Sequence, residues 1–158
     1  MIQYLLYKIG MLFALVLPVS AGYGFASFFA LLQYKFCSKD RNAVINNLKV
    51  IYKTEDKNIL EPAAMAVFIN FAKYLVDFFR FSKINRDYVE RFIKVEGREN
   101  IDEVFKKGKG VIALTAHIGN WELAGIVTAL LGYPVNAVAL SHKDKSINDL
   151  FIRQISDK

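Results

Sequence analysis

The fold prediction rests on residues 110–122, which read GVIALTAHIGNWE in one-letter code. A glycine is followed by a continuous apolar run, which is typical of a buried strand in a parallel sheet. His117 comes directly after this run, and a helix is predicted from Asn120 to Leu131 with Gly132 as its stop. Ligands of open α/β sheets bind at the carboxyl ends of the strands. The pattern therefore predicts that His117 lies at a ligand-binding edge of a sheet.

The segments around this stretch predict further strands and helices. Short apolar runs predict strands at Phe92–Val95 and Val135–Leu140. Apolar residues at helical spacing, with a cap at Asp40 and a stop at Gly108, predict four more helices. They are Arg41–Tyr52, Pro62–Phe81, Glu99–Lys107 and Ser146–Ile155. Strands and helices that alternate in this way predict an α/β fold, in which helices flank a sheet.

The amino-terminal segment is almost free of charge. Residues 1–34 carry one charged side chain, Lys8, and the run Ile9–Tyr34 carries none. A helix of roughly 20 residues crosses a bilayer core, so we expect residues 1–35 to form a transmembrane or membrane-anchoring helix. Basic residues concentrate after this segment, which places the body, residues 36–158, in the cytoplasm. Two alternatives remain open: a secretory signal cleaved after Val19-Ser20-Ala21, and a hairpin or in-plane segment broken at Pro18.

Composition narrows the classes of function. The formal net charge is +6, which favours anionic partners such as membrane headgroups, an acidic carrier protein or nucleic acid. Nucleic acid is disfavoured because the basic residues are scattered and carry no base-stacking motif. The single cysteine, Cys37, excludes an internal disulfide framework and a cysteine-based zinc site. No G-x-S-x-G motif points to a catalytic serine.

His117 and Glu122 form a pair suited to acyl transfer. Neutral imidazole can accept a proton from a hydroxyl, and a carboxylate can hold the ring in the required tautomer. Gly119 would let the chain fold back so that the two side chains meet. The competing interpretation is structural: Asn120 and Glu122 would do no more than cap the following helix.

The stretch Gly110–Gly125 resembles the bacterial late acyltransferases of lipid A biosynthesis, the lauroyl and myristoyl transferases of the lysophospholipid acyltransferase superfamily. It contains the H-x4-[DE] signature as His117 and Glu122, with Gly-Asn-Trp between them. Supporting stretches are Arg41–Ile51, Val95–Gly97 and Lys107–Gly110, and the apolar amino terminus also fits.

The resemblance implies a function and a site. His117 would be the general base and Glu122 its partner, with Asn120 and Trp121 as substrate-binding residues and no metal or cofactor. The donor would be acyl carrier protein or coenzyme A carrying a fatty acyl chain. The acceptor would be a hydroxyl of a lipid A precursor or a related membrane glycolipid. The enzyme would work at the cytoplasmic face of the bacterial inner membrane.

Members of the resembled family are longer than this chain, which stops soon after Asn148–Arg153. We therefore expect residues 36–158 to be the amino-terminal part of a truncated acyltransferase domain. Two alternatives follow from this. The chain would be an inactive membrane-tethered remnant or interaction module, or its acceptor would be a lysophospholipid or a phosphatidylinositol mannoside.

Overall fold

A computed structural model describes residues 2–116, 118–138, 140–141 and 143–156. Its elements are eight α-helices and one 3₁₀ turn, Phe81–Lys83, which follows α4. In chain order the helices are α1 Ile2–Val16, α2 Val19–Phe36, α3 Ser38–Tyr52, α4 Lys57–Phe79, α5 Arg86–Phe92, α6 Arg98–Phe105, α7 Trp121–Leu130 and α8 Lys145–Ser156. The chain divides into two compact units, Met1–Arg80 and Phe81–Lys158.

The predicted α/β sheet is wrong, because the described residues contain helices and no strand. The described residues of the runs predicted as strands at residues 110–115 and 135–140 are irregular, and Ile112 and Leu114 are at least 90% exposed. A parallel strand buries both faces and needs neighbouring strands for its backbone N–H and C=O groups. Short runs without such neighbours do not hold a sheet. Phe92 itself ends helix α5, and residues 93–96 after it are irregular.

The helix predictions are confirmed, with ends that shift by a few residues. The predicted helices Arg41–Tyr52, Pro62–Phe81 and Glu99–Lys107 correspond to α3, α4 and α6. Pro62 lies within α4, which starts five residues earlier at Lys57 because Asp56 caps it. The Asp56 side chain accepts a hydrogen bond from the backbone N–H of Asn58 at 2.9 Å, which satisfies one of the unpaired donors of the first turn.

In the unit Met1–Arg80, helix α4 lies against α1, α2 and α3. Near its start, Leu60 and Ala64 are buried together with Leu48 of α3. Near its end, α4 approaches α2 closely at Gly22, where an added Cβ would lie 3.4 Å from Val76 Cγ1. Small residues allow two helices to pack at short range.

The predicted continuous span Ile9–Tyr34 is two helices, because the chain breaks at Pro18 between α1 and α2. Proline has no N–H, so it cannot bond to the carbonyl four residues earlier, which is that of Ala14. In the structure Arg80 Nη1 donates to the Ala14 carbonyl oxygen, and also to that of Leu17 at 3.0 Å. Arg80 therefore supplies the hydrogen bond that Pro18 cannot make.

Of the described helices, α4 is the one that is long and apolar enough to cross a membrane by length and composition. Its charged residues near the carboxyl end contact α1 and α2. Arg80 bonds to the α1 carbonyl of Ala14, and Asp77 accepts a hydrogen bond from the Tyr23 hydroxyl of α2. Lys73 lies 6.0 Å from the centre of the Tyr23 ring. The anchor predicted for residues 1–35 stays a prediction.

The unit Phe81–Lys158 contains shorter helices. Helix α5 lies against α7, and α8 lies beside the 3₁₀ turn. The buried side chains include Val89 of α5, Ile126 and Val127 of α7, and Phe81 of the turn. This packing holds α7, the helix that begins where the sequence motif ends.

We predict that the Arg80 hydrogen bonds stabilise the break at Pro18. Arg80→Met should lower the free energy of unfolding by about 1–3 kcal/mol, because it leaves carbonyls without a donor. In a Pro18→Ala background the same change should cost less, since alanine at this position restores an N–H for the Ala14 carbonyl. Denaturant unfolding of the four proteins in detergent forms a double-mutant cycle. Equal costs of Arg80→Met in both backgrounds would contradict this account.

Candidate active site at the start of helix α7

Asn120 caps helix α7, as the sequence predicts. Its side-chain Oδ1 accepts a hydrogen bond from the backbone N–H of Leu123 at 3.0 Å. Gly119, just before it, has a φ of +67°, a conformation that glycine adopts without steric cost. The chain therefore turns sharply into the helix at Gly119, and the turn and the cap together fix the direction of α7.

The Asn120 amide nitrogen, Nδ2, is buried and has no hydrogen-bond partner among the described residues. A buried amide donor without an acceptor costs free energy. The Oδ1 atom is already engaged by the cap, so the side chain cannot rotate to resolve this without losing that bond. Asn120 thus holds a buried donor whose direction the cap fixes.

Glu122 and Trp121 occupy the first turn of α7, and both are half-buried. The carboxylate of Glu122 lies near the positive end of the helix dipole, where a negative charge is favourable. Both placements agree with the sequence analysis. The first turn therefore brings together Asn120, Trp121 and Glu122, three of the four predicted site residues.

The fourth residue, His117, lies outside the described residues, as does the other histidine, His142. The pairing of His117 with Glu122 therefore stays a prediction. The sheet at whose edge His117 was predicted is absent from the described residues, and residues 111–116 before it are exposed and irregular.

Sequence reasoning missed a polar cluster in the same unit. The Tyr133 hydroxyl donates to Asp102 Oδ1 and accepts from Arg98 Nε at 3.2 Å. The hydrogen bond with Tyr133 raises the pKa of the Arg98 guanidinium, which is charged at all ordinary pH values. The spacing of Arg98 and Asp102 could have indicated an i,i+4 pair, but Tyr133 is 31 residues further along the chain. The cluster ties α6 to the segment after α7.

Within the described part of the chain, no three His, Cys, Asp or Glu side chains come together as a metal site. The model of one protein family, bacterial lipid A biosynthesis acyltransferase, matches residues 1–155. The chain belongs to this family. No curated protein and no solved structure matches the chain.

The family match includes the motif at the start of α7. The match covers both compact units and the whole stretch Gly110–Glu122. The family supports an acyltransferase-type function in lipid A biosynthesis. The structure adds the cap at Asn120 and the orientation of α7, which are features that the family match alone does not describe.

We predict that Asn120 stabilises α7 through its cap. Asn120→Ala should lower the free energy of unfolding by about 1 kcal/mol, because the Leu123 N–H loses its acceptor. Asn120→Ser keeps a side-chain acceptor for this N–H without burying a charge and should lose much less stability. Urea unfolding of the three proteins checks this, and an equal loss in both variants would show that the cap is not the reason.

Proposed function

We propose that this protein transfers a fatty acyl chain from acyl carrier protein or coenzyme A to a hydroxyl of a lipid A precursor or a related membrane glycolipid. The observation that carries the proposal is the family match over residues 1–155, which includes the His117–Glu122 motif. The net charge of +6 also suits an acidic carrier protein as the donor.

In the proposed mechanism His117 removes the proton from the acceptor hydroxyl. Glu122 orients the ring and stabilises the imidazolium that forms. The oxygen attacks the thioester carbonyl carbon, and the new C–O bond forms as the carbonyl becomes an oxyanion. When the intermediate collapses, the C–S bond breaks and His117 returns the proton to the leaving thiolate. The products are an ester and a free thiol, so atoms and charge balance.

Asn120 is the proposed donor to the oxyanion. Its Nδ2 is buried and lacks a partner among the described residues, while Oδ1 is held by the cap. A preorganised donor of this kind costs no reorganisation when charge develops on the substrate. Trp121 is half-buried and follows Asn120 in the chain. Its proposed role is to form one wall of the substrate site.

We predict that His117→Ala lowers acyl transfer by about 10²–10⁴-fold, because a general base contributes that much. His142→Ala is the matched control and should keep the parent rate, since the mechanism does not use this second histidine. The measurement is mass spectrometry of acylated product formed by purified protein from acyl carrier donor and lipid acceptor. Equal rates for His117→Ala and the parent would remove His117 from the mechanism.

The inner membrane, with catalysis on its cytoplasmic face, is the proposed location. Helices α1 and α2 expose large apolar side chains, which water does not favour but lipid accepts. On α1 they recur every three or four residues, so they share one face. The exposed residues include Leu5, Leu6, Ile9, Leu12, Phe13, Val16, Phe25, Phe28, Phe29 and Phe36.

We predict that Leu12→Lys and Phe28→Lys each weaken partition into phosphatidylcholine vesicles by about tenfold or more, because each removes an apolar side chain that lipid would bury. Asn47 is exposed on α3. Asn47→Lys adds the same charge there without removing an apolar side chain, so it should leave partition unchanged. Vesicle flotation measures the bound fraction. If Leu12→Lys and Phe28→Lys both bind vesicles as fully as the parent protein, α1 and α2 are not the lipid-contacting surface.

A second candidate is an inactive, membrane-tethered module of the same family. The observation that favours it is the exposure of Ile112 and Leu114 just before His117, where an enzyme site needs a supported wall. The transfer assay separates the two candidates, because the module gives no product with lipid A precursors, lysophospholipids or phosphatidylinositol mannosides as acceptors.

A further inference from the structure

An open groove of about 500 Å³ lies in the unit Met1–Arg80, between the end of α2, one face of α3 and the start of α4. The volume is within the usual range of small-ligand sites. Most of its lining residues are polar, and they carry both signs of charge. The residues are Tyr34, Arg41, Asn42, Ile45, Asn46, Lys49, Glu55, Lys57, Leu60 and Glu61.

Contacts within the unit hold the side chains at the α2–α3 end of the groove in place. Arg41 Nη1 donates to the backbone oxygens of Tyr34 at 3.0 Å and Lys35 at 3.2 Å, and the guanidinium lies 5.6 Å from the centre of the Tyr34 ring. Guanidinium has five N–H donors, so these bonds to the end of α2 leave others for a ligand. Arg41 is thereby oriented before any ligand binds.

The opposite wall of the groove presents a cation and a carboxylate one helical turn apart. Lys57 and Glu61 both lie on α4 and both line the groove. They form no ion pair with each other in the described part of the chain, whereas Lys49 and Glu55 pair at 2.7 Å. The groove therefore carries an oriented Arg41 and a Lys57–Glu61 couple that is not neutralised by direct contact.

We propose that this groove binds a zwitterionic phosphate–ammonium group, the chemistry of a phosphoethanolamine headgroup. Arg41 and Lys57 pair with the phosphate, for which charged N–H donors are strong partners. Glu61 accepts hydrogen bonds from the primary ammonium, and Asn42 and Asn46 offer amide donors to the remaining phosphate oxygens. A simple anion fits less well, because two carboxylates line the same groove. An acyl chain fits less well because charged side chains of both signs line the groove and an acyl chain offers them no partner.

The test is calorimetric titration of the full chain in detergent with O-phosphoethanolamine, phosphocholine and inorganic phosphate. Phosphoethanolamine should bind at least about tenfold more tightly than either of the others, because inorganic phosphate lacks the ammonium and the quaternary ammonium of phosphocholine donates no hydrogen bond to Glu61. Equal affinity for phosphoethanolamine and inorganic phosphate would overturn the proposal.

Variants assign the two charges of the ligand separately. Glu61→Gln should raise the Kd for phosphoethanolamine by about tenfold and leave that for inorganic phosphate unchanged, whereas Lys57→Gln should weaken both. Asp40→Asn and Lys39→Gln are the matched controls, since both residues are exposed on α3 outside the groove. An unchanged Kd for phosphoethanolamine in Glu61→Gln would contradict the assigned role.

The same group occurs free in solution and on membrane lipids, and flotation distinguishes the sources. Preferential binding to phosphatidylethanolamine over phosphatidylcholine vesicles, abolished by Glu61→Gln, assigns the groove to a lipid headgroup. Binding of the soluble compound without that vesicle preference assigns it to a soluble ligand. The His117→Ala variant should bind phosphoethanolamine as the parent does, so a failure of the proposed acyl transfer leaves this result intact.

Discussion

The missing N–H of Pro18 is the constraint on which the first unit depends. It ends α1 and leaves the Ala14 carbonyl without its helical partner. Arg80, directly after α4, donates hydrogen bonds from its guanidinium to the carbonyl oxygens of Ala14 and Leu17. The end of α4 is thereby fixed against the α1–α2 break. Where water is scarce, as in lipid, backbone groups must be satisfied within the protein, so an arginine at the end of an apolar helix has a structural reason.

The helices could be predicted from the sequence because their signals are local. Apolar spacing, the stop at Gly132 and the cap at Asn120 act within a few residues, and the structure has a helix at Trp121–Leu130 between them. Whether a sheet forms could not be predicted from the sequence, because an apolar run such as residues 111–115 becomes a strand only when distant segments pair with it. The predicted sheet is absent from the described residues. The partner of Arg80 was equally out of reach, since nothing near it in sequence indicates an α1 carbonyl.

In the candidate active site, too, local features could be predicted from the sequence and features that depend on distant residues could not. The cap at Asn120 and the place of Glu122 in the first turn could be predicted because helix starts favour these residue types, and α7 has both. Their roles in a site stay predictions. The buried Nδ2 of Asn120 could not be predicted, because burial depends on the packing of the whole unit. The groove on α3 was missed for a related reason: Arg41, Ile45 and Lys49 share one helical face, but Lys57 and Glu61 join them only through the α3–α4 contact.

Charge placement in the first unit separates two environments along α4. At its carboxyl end, Asp77 and Arg80 are directed to α1 and α2, so the helix can remain apolar on its outer face. At its amino end, Lys57 and Glu61 face an open groove instead. Charged groups are expensive in hydrocarbon and cheap near headgroups. An apolar helix with internally bonded charges at one end and exposed charges at the other is compatible with the proposed membrane location, and the proposed phosphate–ammonium site would then lie at its charged end.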